Sequence, residues 1–142
     1  MTSALASGRR PRSPPQSPKR ELFDITGIAA LNFNTIYQLY RRTLEGDETL
    51  RQAHSLLFMP DLLAYGLTGA AYSEYTIAST SGMLDVHSKA WSDDIIARLG
   101  LPRGVFMDIV MPGTLTGRLK EGTSAKLGLP RVPLAAVGGH DT

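Results

Sequence analysis

The chain has 142 residues, 42% of them hydrophobic and 20% charged, with no cysteine and a formal net charge of +2. Without cysteine there are no disulfides, thiol nucleophiles or cysteine-ligated zinc or iron–sulfur centres, and a reducing, cytoplasmic setting is expected. No apolar run reaches the roughly 18 residues that span a bilayer, which excludes a helical membrane protein.

Residues 1–20 hold Arg9, Arg10, Arg12, Lys19 and Arg20 with no acid, so 21–142 carry ten basic against thirteen acidic residues, a net charge of −3. A phosphate-backbone groove would make the body itself positive, so nucleic acid is excluded as a partner. The stretch 1–20 is dominated by Ser, Pro and Arg and cannot bury enough apolar surface to offset its ordering entropy; it reads as a disordered basic leader. Pro11, Pro14, Pro15 and Pro18 interrupt the amphipathic helix that a transit peptide would use. The 7–15-residue apolar core of a secretory signal is absent as well.

From Glu21 the character changes. Asn34 is a good N-cap, and Ile36, Leu39, Tyr40 and Leu44 at i, i+3, i+4 and i+8 predict a helix that Gly46 ends. Asp47 caps a short helix through about His54, leading into the apolar run Leu56-Leu57-Phe58-Met59. Pro60 suits the first turn of the next helix, where Asp61 favours the positive end of the dipole. Leu62, Leu63 and Leu67 are expected to fill that helix before Thr68-Gly69 stops it. Glu74–Ser79 predicts a helical turn and Gly82–Val86 a strand. Ser92 caps a firmer helix with Asp93 and Asp94 in its first turn and Gly100 after its last. Val105–Leu119 reads as extended with a turn at Pro112-Gly113, and Thr123–Leu127 as a short helix. Val132–Val137 is a short apolar run, expected to be a strand buried on both faces.

Polar residues just past the carboxyl end of such a strand occupy the usual ligand-binding edge of an α/β sheet. Here they are His140, Asp141 and Thr142, after a Gly138-Gly139 pair that permits close backbone approach. Two readings of this ending stand side by side: a carboxylate that accepts a proton from a substrate hydroxyl, or a polar turn closing a strand. Adjacent side chains on an extended segment point opposite ways, which argues against one metal ion taking both. The hydroxyl-rich stretch Tyr72–Thr76 with Ser79-Thr80-Ser81 could line a polyol site, but caps and turns are the expected role. His54 and His87 read as surface residues, Trp91 as packing, and Arg41-Arg42 as a solvated helix face. No GxGxxG, Walker A loop, HExxH or GxSxG is present.

Taken in order, several segments resemble the FGGY carbohydrate kinases, most of all their rhamnulokinase branch. They are Phe33-Asn34-Thr35-Ile36-Tyr37-Gln38-Leu39; Leu57–Leu63 with Tyr65 and Leu67-Thr68-Gly69; Glu74-Tyr75-Thr76; Ala78-Ser79-Thr80; Leu84-Asp85; Trp91; Pro112-Gly113; Gly117; and Val137–Thr142. The resemblance covers about 21–142 and is collinear. It implies an α/β fold, an incomplete part of a ribonuclease-H-like domain of the actin-like ATPase superfamily, with 21–142 as the C-terminal portion of the kinase N-terminal domain. By the resemblance, the substrate is a small-molecule sugar, L-rhamnulose, phosphorylated by ATP at its 1-hydroxyl with Mg²⁺. Asp141 is then the catalytic base, and His140, Asp141 and Thr142 contact the sugar. A kinase for another ketose or deoxy sugar and a non-catalytic sugar-binding remnant are the rival readings. Such kinases begin with a strand and an Asp-Gly-rich turn for phosphate and metal, where this chain has the Pro-rich leader. Most groups that bind ATP and Mg²⁺ are therefore expected outside this chain, which is expected to be inactive alone and marginally stable.

Overall fold

The computed structural model describes residues 18–141. Helix α1 (Pro18–Thr26) opens on a proline, which is at home in a first turn because its missing N–H would have no helical partner there. Pro18, Lys19 and Arg20 are therefore helical rather than part of an unstructured leader, and the rest of the leader lies outside the described residues. Gly27 follows with φ of 71°, closing the helix.

Helix α2 (Thr35–Leu44) buries Ile36 and Leu39, but Tyr40 and Leu44 on the expected stripe are 42% and 66% exposed. Helix α3 (Glu48–Gln52) is capped as expected, with the Asp47 carboxylate accepting from Thr49 N at 2.8 Å. Helix α4 (Met59–Thr68) has Pro60 in its first turn and ends at Gly69 with φ of 83°. Its buried face is the polar one. Asp61 is 2% exposed and Ala64 is buried, while Met59, Leu62 and Leu63 are 69%, 46% and 66% exposed and Leu67 is also on the surface. The helix turns inward the face that carries an acceptor for a backbone N–H of the strand behind it, and the leucines are left outside.

Then follow β1 (Ser73–Glu74), α5 (Tyr75–Ser79), β2 (Leu84–Asp85), β3 (Ala90–Trp91), α6 (Asp93–Arg98), a 3-10 turn at Arg103–Val105, β4 (Ile109–Val110), β5 (Leu115–Arg118), α7 (Glu121–Leu127) and β6 (Pro133–Ala135). Ser92 caps α6 through Ile95 N. Among the described residues the strands form three two-stranded sheets: β1 parallel to β4, β2 antiparallel to β3, and β5 antiparallel to β6. The strand expected over Val132–Val137 is thus shorter than predicted and is not buried on both faces. Val132 and Val137 are 41% and 72% exposed, and Ala136 is the buried residue of the run. An apolar run is buried only where another layer covers it, and among the described residues β6 has β5 as its ladder partner.

The main core gathers Ala78, Met83, Leu84 and Ile96, all essentially inaccessible, with Ile36, Leu39, Trp91 and Phe106 around them. Trp91 donates from Nε1 to the Met107 carbonyl at 2.7 Å and lies edge-on to Phe106, a packing residue as expected. A smaller cluster of Ala64, Tyr72 and Ala136 joins α4 to the β5–β6 pair. No helix among the described residues is long and apolar enough to cross a membrane.

Candidate functional site

The Gly138–Asp141 segment leaves β6 and runs over the start of α5, where a buried carboxylate receives it. Glu74 is 1% exposed. It stands at the N-cap of α5, where its Oε1 accepts from Thr76 N at 2.8 Å and its Oε2 from Ile77 N at 3.2 Å and from the Thr76 hydroxyl at 2.6 Å. The same Oε2 accepts from Gly139 N at 2.9 Å, sixty-five residues further along the chain. The Thr76 hydroxyl, having donated to Glu74, accepts from His140 N at 3.1 Å. Burial pushes the Glu74 pKa up, but the Thr76 hydroxyl and the Thr76, Gly139 and Ile77 amides outweigh it and hold the carboxyl below its ordinary value.

A second carboxylate lies directly behind. Both oxygens of Asp61 accept from Glu74 N at 3.3 Å. Burial raises the Asp61 pKa to about 6; the Glu74 N–H opposes this, and the neighbouring Glu74 charge adds to it. Gly139 fits against this pair closely. A Cβ added there would stand 3.2 Å from Ile77 Cβ, 3.3 Å from Pro60 Cγ and 3.4 Å from Glu74 Oε2.

His140 lines one side of a cleft of about 390 Å³ whose other walls come from the loop before α2 and the end of α5. Ile28, Ala29, Leu31 and Phe33 make it apolar, and Thr35 and Thr80 add hydroxyls. The loop is held by Asn34, whose side chain does not cap α2 as expected. Its Oδ1 accepts from Leu31 N at 3.0 Å and its Nδ2 donates to the Thr80 carbonyl at 2.9 Å. The structure therefore brings His140 to Phe33-Asn34-Thr35, more than a hundred positions away in sequence. Asp141 projects from the same loop with its side chain 96% exposed and Oδ1 3.5 Å from His140 Nδ1. Thr142 lies outside the described residues.

The hydroxyl-rich segment divides. Ser79 and Thr80 donate back to the Thr76 and Ile77 carbonyls and Ser81 accepts from Met83 N, so all three serve the local turn. Thr76 instead contacts the His140 loop. Neither Glu74 nor Asp61 is among the site residues expected from sequence. The available signal was a glutamate at an N-cap, where shorter acceptors are preferred. Among the described residues no three His, Asp or Glu side chains group as a metal-binding cluster.

Known proteins resemble this chain in sequence and fold. Residues 15–142 match the N-terminal domain of the FGGY family of carbohydrate kinases. Over 124 residues, 87% of this chain and 26% of the relative, the sequence is 39% identical to a rhamnulokinase of Bacteroides thetaiotaomicron. It is 37% identical over 119 residues, 83% of this chain and 25% of the relative, to an L-fuculokinase of Escherichia coli. Among solved structures, a ligand-bound xylulose kinase from Lactobacillus acidophilus superposes with a TM-score of 0.77 at 20% identity, covering 85% of this chain and 25% of that one, which bears on the fold alone. The chain spans about a quarter of the length of the relatives it matches.

Proposed function

From the premise that this chain belongs to the FGGY family of carbohydrate kinases, within its N-terminal domain, we propose that it forms the sugar side of a rhamnulokinase-like enzyme acting in the cytoplasm. The observation that carries this reading is the convergence of His140 with Phe33-Asn34-Thr35 and Thr80 on one cleft. The rhamnulokinase of Bacteroides thetaiotaomicron at 39% identity supports the choice of sugar.

In this reading Asp141 accepts the proton of the L-rhamnulose 1-hydroxyl while that oxygen forms its bond to the γ-phosphorus of ATP and the bond to the leaving ADP oxygen breaks. His140 and Thr142 flank the carboxylate and contact the sugar. Such transfers depend mainly on positioning and charge stabilisation, and a general base contributes typically 10²–10⁴-fold once both substrates are in place. In this reading most groups that hold the nucleotide are expected outside this chain, which is expected to lack turnover alone.

The L-fuculokinase of Escherichia coli at 37% identity favours a second reading, in which the sugar is L-fuculose. The test is a chimaera in which residues 21–142 replace the matching stretch of the Bacteroides thetaiotaomicron rhamnulokinase, assayed with ATP on L-rhamnulose, L-fuculose and D-xylulose. L-rhamnulose is expected to be the best substrate, and Asp141→Asn to lower kcat by at least about 10²-fold. Faster turnover of L-fuculose overturns the sugar assignment. Undiminished activity of the Asp141→Asn form overturns the role of the base.

A further inference from the structure

The loop that carries His140 and Asp141 starts just past Ala136, whose backbone is still bonded to Gly113 and Thr114. It follows β6, whose ladder ends at Ala135, and the two glycines before His140 contribute no side-chain packing. Two backbone N–H groups of the loop reach across to α5: Gly139 N to the buried Glu74 carboxylate at 2.9 Å and His140 N to the Thr76 hydroxyl at 3.1 Å. The two acceptors are themselves joined by the 2.6 Å bond from Thr76 Oγ1 to Glu74 Oε2.

The direction of these bonds matters. A hydroxyl has one proton, and Thr76 spends it on Glu74, so its lone pairs are turned outward to the His140 amide. With Glu74 ionised, Oε2 cannot donate, and the hydroxyl orientation is fixed. An amide bonded to a buried carboxylate is a charge-assisted bond, shorter and stronger than a neutral one. Glu74 is also anchored from behind, because its own N–H is held by Asp61 at 3.3 Å.

The geometry points to Glu74 and Thr76 as positioning residues that set where the His140-Asp141 segment stands relative to the cleft, through Gly139 N and His140 N. This rests on the sugar-kinase reading only for its functional meaning; the positioning itself is a property of the chain. Neither residue touches the sugar in this scheme. They act by holding the backbone that presents the base, and loss of a 1 Å placement of such a group is costly for transfer chemistry.

The experiment is amide hydrogen exchange with ¹H–¹⁵N spectroscopy on the 142-residue chain and its Glu74→Gln, Thr76→Val and Thr76→Ser variants. In the wild type, the Gly139 and His140 amides are expected to be protected, with the Gly139 proton shifted downfield by its carboxylate acceptor. Thr76→Val keeps the shape but removes the hydroxyl. It is expected to speed His140 exchange by about tenfold or more while α6 amides keep their protection, and Thr76→Ser is expected to restore it. Glu74→Gln is expected to move the Gly139 proton upfield. Gly139 and His140 amides that exchange freely in the wild type overturn the proposal, as does equal His140 protection in the Val and Ser variants. In the chimaera, Thr76→Val is expected to lower kcat with little change in the KM for ATP, with recovery in Thr76→Ser. An inactive parent chimaera beside protected amides counts against the kinase reading and leaves the positioning intact.

Discussion

Replacing Asp61 by asparagine should stabilise the protein at neutral pH, although it removes a charged hydrogen-bond acceptor. Asp61 is 2% exposed, and its pKa is raised from the ordinary 3.8 to about 6. Between these two values the unfolded chain has lost the proton and the folded chain still holds it, so stability falls as pH rises from about 4 to 6 and stays low above. The rise from 3.8 to about 6, at 1.36 kcal/mol per pH unit, amounts to about 3 kcal/mol when complete. That is a sizeable share of the 5–15 kcal/mol that holds a typical domain together. Asparagine cannot ionise, yet its carbonyl oxygen can still accept from Glu74 N. Its new amide group has to find a partner, at a cost of about 1 kcal/mol or more. The expected net effect is therefore a gain of about 2 kcal/mol at pH 7 and a loss of about 1 kcal/mol below pH 4. Urea unfolding of both proteins from pH 3.5 to 8 reads this directly. Curves that run parallel across that range refute the argument, because they would mean that Asp61 titrates alike in the folded and unfolded states.

Glu74 should behave in the opposite sense. Its folded pKa is lowered, so its contribution is present above the ordinary carboxylate value and is lost as pH falls through the folded one. Glu74→Gln is expected to cost about 2 kcal/mol at pH 7 and progressively less in acid, measured by the same titrations. Gly139→Ala would place a Cβ 3.2 Å from Ile77 Cβ and is expected to cost 1–3 kcal/mol. Gly138→Ala, with its nearest neighbour at 3.7 Å, should be near neutral, and a comparison of melting midpoints separates the two. Asn34→Ala removes both bonds of a buried side chain, to Leu31 N and the Thr80 carbonyl, with an expected loss of about 2 kcal/mol by denaturant titration.

Much of the secondary structure was legible because its signals are local. Asp47 and Ser92 cap the helices that follow them, and Gly69 and Gly100 terminate helices through positive φ. What sequence did not disclose was which face of each element meets another. Leu62 and Leu63 were expected to fill α4 and lie outside, whereas Asp61, expected only to favour the helix dipole, is buried, because a backbone N–H of β1 required an acceptor at that place. Asn34 was legible as a helix start but not as a brace to Thr80, since that contact spans forty-six residues. His140 and Asp141 could be picked out by their place after an apolar run and a glycine pair. Their support by Glu74 and Thr76 could not, because nothing local announces that a glutamate will cap a helix and hold a distant loop at once.

The two sides of the cleft hang from the two ends of α5. Asn34 fastens the apolar loop to the Thr80 carbonyl at the C-terminal end, and Thr76 fastens the His140 loop near the N-terminal end. The gape of the cleft is thereby measured off along a single helical spacer. The four residue steps from Thr76 to Thr80 correspond to roughly 6 Å of axial rise. A helix is stiff along its axis, so a smaller ligand would be met by an unfilled gap rather than by a tightening grip. Inserting one residue into α5 would move one jaw by about 1.5 Å and swing it by about 100°. The calibre of the site is written in a segment that itself contributes little more than Thr80 to its lining.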